Sequence, residues 1–296
     1  MALLVHAVAG RPVDRSLSPV LALLTVARLE EAGVEGLRLD DTRAIRIDAS
    51  TPAEALQQFD GLADAAPVGG LHAAVAQRLK AAPKQVERIP LRFLAGQGRW
   101  LSLTSPLKHQ VGAWECTDGA QALRAVNALL LDEEGVRTAG TDGSGVLAVA
   151  RVAGHPAEEG AILRLRGGGG AARSTAHAWI QAGGRVDVIE GRRRLEPWPD
   201  ATSLADQDGP ADLGIDFDGE GVDLGAKVHV DPVYQGASLK HHGSVNADVL
   251  DGRWMLVAQH LAAWRSLWAP ELAAVLPSEV DLMEDLLAVE ADLNAA

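Results

Sequence analysis

The chain has 296 residues, of which 47% are hydrophobic, and its mean hydropathy is +0.04. This length and composition are typical of a globular enzyme with two domains and exclude a disordered chain. The 27 basic and 40 acidic residues give a formal net charge of −13, which argues against a surface for nucleic acid or anionic membranes. The single cysteine, Cys116, excludes an intrachain disulfide, so we expect a cytoplasmic protein.

The first half of the sequence alternates short apolar runs with helical stretches. Residues 1–8 lack the basic start and cleavage site of a signal peptide and are too short to span a bilayer, so we expect a buried strand at 3–8. Pro19 and Gly33 bound a predicted helix over 19–32. Further strands are predicted at 36–39, 44–47, 100–103 and 125–131, and further helices at 52–65 and 71–81.

The second half has the pattern of a βαβ unit. A strand at 161–165 leads into four glycines at 167–170, a helix at 171–182 and a strand at 185–189. The acidic and glycine-rich residues 192–225 predict little regular structure, and a last strand is expected at 227–230. The C-terminus predicts helices, one of which starts at a capping box formed by Ser278 and Asp281.

The glycine run fits a turn that binds phosphate. Glycines let a backbone approach a pyrophosphate closely, and the helix that follows supplies oriented N–H groups. The predicted cofactor contacts in this turn are Gly167, Gly168, Gly169, Gly170 and Ala171. The alternative is a merely flexible turn, and Arg164 and Arg166 argue for it because they interrupt a strand that should be buried and apolar.

The residues after the second strand of this unit point in two directions on cofactor identity. Glu190 stands where a carboxylate would bind a ribose diol and repel a 2′-phosphate, which favours NAD. Arg192, Arg193 and Arg194 follow at once and would attract that phosphate, which favours NADP. Both cofactors therefore stay open.

Lys108 is the candidate proton donor. When a ketone accepts a hydride, the developing alkoxide must be protonated, and a neighbouring ammonium both stabilises the charge and supplies the proton. Asp142 would orient Lys108 and accept a hydrogen bond from a substrate hydroxyl. The alternative is that Lys108 is a surface lysine and that Asp142 is a turn residue before a glycine.

Five further polar residues are candidate substrate contacts. Asn127 is expected on an otherwise apolar strand, where a buried amide needs a partner, either in the core or on a ligand. Gln259, on an apolar helix face, is a similar case. Ser16 and Ser18 either bind a carboxylate or cap the following helix, and Tyr234 either presents its hydroxyl or packs as a core aromatic.

A metal site is not expected. His241 and His242 are adjacent, but no carboxylate or cysteine stands at a convincing ligand spacing from them.

Separate motifs, in order along nearly the whole chain, resemble the shikimate dehydrogenase family. The motifs that carry the resemblance are Ser16-Leu17-Ser18-Pro19, Thr104-Ser105-Pro106-Leu107-Lys108, Ala125-Val126-Asn127, Thr141-Asp142-Gly143, Asp231-Pro232-Val233-Tyr234 and the segment 251–259 that ends in Gln259. The resemblance implies that Ser16 and Ser18 bind the substrate carboxylate and that Lys108 has the acid/base role. It also implies that Thr104, Asn127, Asp142, Tyr234 and Gln259, which lie in the other motifs, contact the substrate.

The departures from the family pattern concentrate in the cofactor half. Glu190-Gly191-Arg192 replaces the usual Asn-Arg-Thr that recognises the adenosine phosphate, and Asp216-Phe217-Asp218 replaces an Asn-Ala-Thr-Ser stretch beside the nicotinamide. In the substrate half, Arg15, Ser102 and Gly140 stand where the family has histidine, asparagine and asparagine, and the stretch before Lys108 is longer than usual.

The resemblance implies an α/β fold with two domains, a three-layer substrate domain and a Rossmann-like domain. Residues 1–143 would bind substrate, 144–250 would bind NAD(P), and the helices of 251–296 would return to the substrate domain. The implied function is NADP- or NAD-dependent reduction of 3-dehydroshikimate in aromatic amino-acid biosynthesis, by a monomer or homodimer. The alternatives are an NAD-dependent quinate/shikimate dehydrogenase and a non-catalytic relic that binds a hydroxy acid.

Overall fold

The computed structural model describes residues 4–62, 70–78, 89–90, 98–111, 114–196, 204–205, 209–234 and 248–295. They form two compact units. Unit 1 comprises Met1–Gln121, Val126–Ala139 and Ala263–Ala296, and unit 2 comprises Ala122–Ala125 and Gly140–Ala262.

Unit 1 is built on a six-stranded mixed sheet. Its strands are β1 (Leu4–Gly10), β3 (Thr42–Asp48), β5 (Gly98–Leu103), β6 (Glu115–Cys116), β7 (Ala128–Asp132) and β8 (Gly135–Ala139), in the order β3-β1-β5-β7-β8-β6. Strands β1, β3 and β5 are parallel, whereas β7 runs antiparallel to both β5 and β8. Two short strands, β2 (Val34–Glu35) and β4 (Ile89–Pro90), pair separately.

Both faces of this sheet are covered, which explains why all seven residues of β1 are buried. Consecutive residues of β5 point to opposite faces of the sheet and enter different cores. Trp100 packs with Trp264 and Trp268, and Leu101 packs in a cluster with Phe59. The helices of unit 1 are α1 (Ser18–Glu31), α2 (Pro52–Leu62), α3 (Leu71–Arg78) and α7 (Glu279–Ala295), with a π-helix at Trp264–Trp268.

Unit 2 has a five-stranded, wholly parallel sheet. Its strands are β9 (Ile162–Arg166), β10 (Arg185–Ile189), β11 (Ala211–Asp216), β12 (Ala226–Val230) and β13 (Val249–Leu250), in the order β10-β9-β11-β12-β13. Its helices are α4 (Asp142–Val152), α5 (Gly170–Gln181) and α6 (Gly252–Ala263). The chain reverses its direction of travel across the sheet between β9 and β11, as in doubly wound folds.

The predicted α/β fold class, the first strand, the helix after Pro19 and the βαβ unit are confirmed. The predicted cap of the last helix is also present, because Ser278 Oγ accepts a hydrogen bond from the Asp281 N–H at 3.1 Å. Arg164 does not break β9. Its guanidinium lies 2.5 Å from Asp187 on the neighbouring strand and donates to the carbonyls of Leu224 and Gly209, so the buried charge is paired.

Three predictions of local structure were wrong. Residues 36–39 do not form a strand, because Gly36 has φ +87° and β2 ends before it. Residues 192–225 contain β11, whose residues Leu213 and Ile215 are buried while Asp212 at its start bonds Lys227. Asn127 lies just before β7 rather than on it, and β8 and α4 had not been predicted.

Helix α6 belongs to unit 2, although the helices of 251–296 were predicted to return together to the first domain. The reason is close packing within unit 2. A Cβ atom at Gly145 of α4 would lie 2.8 Å from the Gln259 nitrogen of α6, so only glycine permits this contact. The substrate and cofactor roles given to the three predicted ranges stay predictions.

Candidate functional site

In unit 1, the loops after β1 and β5 are joined at the carboxyl edge of the sheet. The Thr104 N–H donates to the Ala9 carbonyl at 2.9 Å, and the Arg11 N–H donates to the Ser105 carbonyl at 2.8 Å. A Cβ atom at Gly10 would lie 2.2 Å from Thr104 Cγ2, so glycine is required for this approach. Thr104 is therefore held at a fixed place beside the end of β1.

Ser16 and Ser18 form a pair of hydroxyls in the loop after β1. Both residues are buried, and their Oγ atoms lie 3.3 Å apart. The loop is fixed from β3, because the Arg46 guanidinium donates to the Ser16 carbonyl at 2.9 Å. The capping alternative stays open, because Ser16 Oγ also accepts a hydrogen bond at 3.3 Å from the N–H of Ser18, the first residue of α1.

Lys108 lies in a short 3-10 helix, Leu107–His109, that follows β5. Leu107 is fully buried and its N–H donates to the Thr104 carbonyl at 2.9 Å, which fixes this helix against the end of the strand. Lys108 is half-buried, and its role as proton donor rather than as a surface lysine stays a prediction.

Asn127 is brought to the same edge by the antiparallel direction of β7. Its N–H donates to the Ala139 carbonyl at 3.0 Å, and its carbonyl accepts from Leu103 at 2.8 Å. It is 6% exposed, which is consistent with a fixed amide. Unit 1 thus brings together five of the predicted site residues, namely Ser16, Ser18, Thr104, Lys108 and Asn127.

Asp142 is the first residue of α4 in unit 2 and is only 2% exposed. It is not a turn residue, and the positive end of the helix dipole favours its carboxylate. Helix α4 packs closely on α5, where the Gly143 N–H donates to Ser174 Oγ at 3.0 Å, as well as on α6 at Gln259. Gly145, about one helical turn after Asp142 in α4, therefore lies against Gln259 of α6.

Tyr234, which is half-buried, follows the carboxyl end of β12 in unit 2. His241 and His242 lie outside the described residues. Among the residues that the structure describes, no three His, Cys, Asp or Glu side chains are grouped to hold a metal ion.

The glycine turn of unit 2 follows β9, the strand next to the reversal point of the sheet. Gly167 has φ +107°, and α5 begins at Gly170 with Gly169 as its N-cap. The space around a Cβ at Gly169 is open to 4 Å, so a ligand can approach the N-terminus of α5 there. Arg173 braces the turn by donating to the Gly168 carbonyl at 2.6 Å.

Two cavities border the carboxyl ends of the strands in unit 2. The first, of about 360 Å³, is lined by Gly167, Val188, Ile189, Glu190, Gly191, Arg193, Arg194, Leu195 and Glu196. The second, of about 710 Å³, has Asp216, Val230 and Asp231 among its lining residues. Ligands of doubly wound sheets bind at such strand ends, and the first cavity has the size and polar rim to take the adenosine part of a dinucleotide.

An ionic cluster that sequence reasoning missed lies between these cavities. It consists of Arg166, Arg192, Asp216, Asp218 and Glu220, which are joined by ion pairs of 2.7–3.9 Å. Burial raises the pKa of Asp216, but N–H groups from Val222, Asp218 and Glu220 and the Arg166 cation outweigh this effect and lower the pKa. The sequence signal was an arginine at the end of one strand and acids at the end of its neighbour.

Two α/β units, one of them with the strand order of a Rossmann-like fold, define the class of the protein. A shikimate dehydrogenase (NADP(+)) from Acinetobacter baumannii (strain SDF) is 30% identical over 203 residues, which cover 60% of this chain and 77% of that protein. The chain belongs to the shikimate dehydrogenase family, and this membership implies an oxidoreductase. NADP is the default cofactor of the family.

Solved structures support the same fold. The shikimate 5-dehydrogenase of Thermus thermophilus, in complex with NADP(H) and shikimate, superposes with a TM-score of 0.63 at 23% identity over 97% of this chain and 99% of that one. An Ael1 enzyme from Pseudomonas putida gives a TM-score of 0.65 at 18% identity, over 95% of this chain and 97% of that one. No protein-family model matches the chain. None of the helices in the described ranges has the length and apolar content to cross a membrane.

Proposed function

We propose that the protein is a shikimate dehydrogenase that reversibly reduces 3-dehydroshikimate to shikimate with NADP or NAD. The observation that supports this most is the group of polar side chains, Ser16, Ser18, Thr104, Lys108 and Asn127, at one edge of the unit 1 sheet. Such a set suits a small acid with several hydroxyls. It offers donors for a carboxylate, an amide and hydroxyls for ring alcohols, and an amine for proton transfer.

Substrate binding follows from the chemistry of these groups. The hydroxyls of Ser16 and Ser18 donate to the substrate carboxylate, while Thr104 and Asn127 hydrogen-bond ring hydroxyls. Asp142, Tyr234 and Gln259 are the remaining proposed substrate contacts. Because Ser16 and Ser18 are buried and their loop is held by Arg46, little freedom is lost when the carboxylate binds.

The proton is supplied by Lys108. A nicotinamide cofactor, when bound, would supply the hydride for the carbonyl carbon of 3-dehydroshikimate, and the electron pair of the carbonyl bond would move to oxygen. Lys108 donates a proton from its ammonium to that oxygen, so the ketone becomes an alcohol and the lysine becomes a neutral amine. Asp142 accepts a hydrogen bond from a substrate hydroxyl and orients Lys108. In the oxidation direction Lys108 removes the proton.

The test is steady-state oxidation of shikimate with NADP and with NAD, together with calorimetry of each ligand. Turnover with either cofactor supports the proposal. Folded protein that binds shikimate and a cofactor but shows no turnover contradicts it.

An NAD-dependent quinate/shikimate dehydrogenase is a second candidate, favoured by Glu190 at the rim of the 360 Å³ cavity. A carboxylate there bonds the ribose diol and repels a 2′-phosphate. Comparison of kcat/KM for quinate and shikimate with NAD separates it from the first candidate.

A third candidate is a binding protein that takes a hydroxy acid but no dinucleotide. It is favoured by Asp218, whose Oδ1 would lie 3.1 Å from a Cβ at Gly167 and so places a carboxylate beside the expected pyrophosphate position. Calorimetry that detects shikimate binding but neither NAD nor NADP would establish this candidate over the two enzymes.

A further inference from the structure

Arg192 is turned away from the cavity that its neighbours line. Residues 188–191 and 193–196 all border the 360 Å³ cavity, but Arg192 does not. Its backbone N–H donates to Asp218 Oδ2 at 2.6 Å, and its Nη2 donates to the Asp218 carbonyl at 2.7 Å. The guanidinium also lies 3.8 Å from Glu220. Asp218 therefore holds both the backbone and the side chain of Arg192.

This arrangement depends on the residue before Arg192. A Cβ at Gly191 would lie 2.4 Å from Asp218 Oδ2 and 2.8 Å from the Gly167 nitrogen. Glycine at 191 thus permits the carboxylate to reach the Arg192 N–H. The side chain of Asp218 is only 10% exposed, whereas that of Arg192 is 65% exposed, so the backbone bond fixes the segment and the ion pair follows it.

The charges that remain on the cavity cancel. Its lining contains two acids, Glu190 and Glu196, and two bases, Arg193 and Arg194. The 2′-phosphate of NADP carries up to two negative charges and is best bound by arginine pairs, whereas the ribose diol of NAD needs only a carboxylate such as Glu190. Release of Arg192 would leave the cavity with an excess of positive charge.

We propose that Asp218 sets the cofactor preference of the site by withholding Arg192 from the adenosine cavity, so that NAD binds more tightly than NADP. This inference rests on the proposed dehydrogenase function, because it assumes that the cavity takes the adenosine part of a dinucleotide. It names a carboxylate on the loop after β11, far in sequence from the residues that line the cavity, as the selecting group.

The test is calorimetric binding of NAD and NADP to the wild-type protein and to Asp218→Asn. The wild type is expected to bind NAD more tightly. Asp218→Asn keeps the main-chain carbonyl that Arg192 Nη2 bonds, but it removes the carboxylate charge that bonds the Arg192 N–H and lies 3.7 Å from Arg192 Nε. It should therefore lower the Kd for NADP relative to that for NAD by roughly tenfold, the usual effect of one charge-assisted hydrogen bond. Addition of Arg192→Gln to Asp218→Asn should cancel this gain. Asp223→Asn is the matched control, since Asp223 loses the same charge in the same loop but bonds the Gly225 N–H.

The outcomes separate the inference from the function on which it rests. If both cofactors bind and Asp218→Asn leaves their Kd ratio unchanged, or if the ratio shifts equally in Asp223→Asn, the inference is overturned while the dehydrogenase proposal stands. If neither cofactor binds to the wild type although shikimate does, both are overturned. Thermal unfolding of each variant identifies a loss of fold, and a ratio that shifts only in folded Asp218→Asn supports the inference.

Discussion

The carboxyl edges of the two sheets carry polar groups in opposite ways. At the edge of unit 1, the loops that carry Ser16, Thr104 and Asn127 are fixed by hydrogen bonds to main-chain atoms. At the edge of unit 2, Arg166 and Asp218 belong to an ionic cluster whose members bind one another.

The two edges therefore differ in what they can offer to a ligand. Hydrogen bonds to the main chain fix the loops of unit 1 without using up charge, whereas the charges of unit 2 that are paired with one another have less to offer to a cofactor phosphate. Under the proposed function, a cofactor phosphate at unit 2 must therefore compete with the ion pairs of the cluster. Variants in each unit should separate these two behaviours.

The largest effect is expected from Lys108→Ala. Loss of the proposed proton donor should lower kcat by roughly 10²–10⁴-fold while KM for shikimate changes little, because general acid–base catalysis acts in the transition state. Steady-state kinetics at saturating cofactor measure both constants. Lys227→Ala is the control, since it removes the same charge from an exposed lysine paired with Asp212. A rise in KM with unchanged kcat would reassign Lys108 to binding.

The second effect concerns acid stability and comes from the core of unit 1. His6 is fully buried against Trp268 and near Ser102 Oγ (3.1 Å), and burial lowers its pKa from 6.5 to about 3. The folded state therefore keeps His6 neutral while the unfolded state takes up a proton below pH 6.5. The contribution of His6 to the free energy of unfolding is therefore fully present above pH 6.5. As the pH falls from 6.5 to 3, the free energy of unfolding should decrease by about 1.4 kcal/mol per pH unit.

The measurement is urea unfolding from pH 7 to pH 4 for the wild type and His6→Gln. The variant removes this titration, so its stability should depend less steeply on pH, whatever its absolute stability. Parallel curves for the two proteins would contradict the prediction.

A smaller effect, confined to unit 2, is expected from Gly168→Ala. The added Cβ would lie 2.0 Å from the Arg194 carbonyl oxygen, so the glycine turn or the 191–195 segment must shift. We expect a loss of stability of about 1–3 kcal/mol and weaker cofactor binding, with shikimate binding retained. Calorimetry of both ligands checks this. Gly169→Ala, where the space is open, is the matched control.

The sequence predicted the parts of the fold that depend on local patterns. The βαβ unit was predicted because an apolar run, a glycine run and a helical pattern follow one another within about 30 residues. Burial of Arg164 could not be predicted, since its partner Asp187 lies on another strand. Strand β11 was missed because acidic residues at its ends, Asp212 and Asp216, hid the buried alternation between them.

The candidate site was predicted unevenly for the same reason. The roles of Ser16, Lys108 and Asp142 were predicted from the family resemblance, since each lies in a short segment of characteristic residues, and they stay predictions. The cluster around Asp218 joins the ends of three strands that are distant in sequence. Only the parallel order β10-β9-β11 brings them together, and that order is a property of the fold.

The smallest effect is expected at Arg124, the only non-glycine residue in the described part of the chain with a positive φ, +52°. A side chain in this region costs about 1 kcal/mol, so Arg124→Gly should raise the free energy of unfolding by up to about 1 kcal/mol, partly offset by the greater freedom of glycine in the unfolded chain. Removal of the cation adds to this gain, because desolvation and then the charges of Arg124 and Arg193 lower the pKa of Arg173.

A second variant and a change of salt concentration separate the two contributions, relief of backbone strain and relief of charge repulsion. Arg124→Asn removes the charge but keeps a residue that tolerates this backbone, so relief of repulsion alone predicts equal stability for Asn and Gly. A backbone contribution predicts that Gly is the more stable. Thermal unfolding at low and high ionic strength measures both, since only the repulsion is screened by salt. A destabilised Arg124→Gly would show instead that the guanidinium stabilises the turn before Asn127.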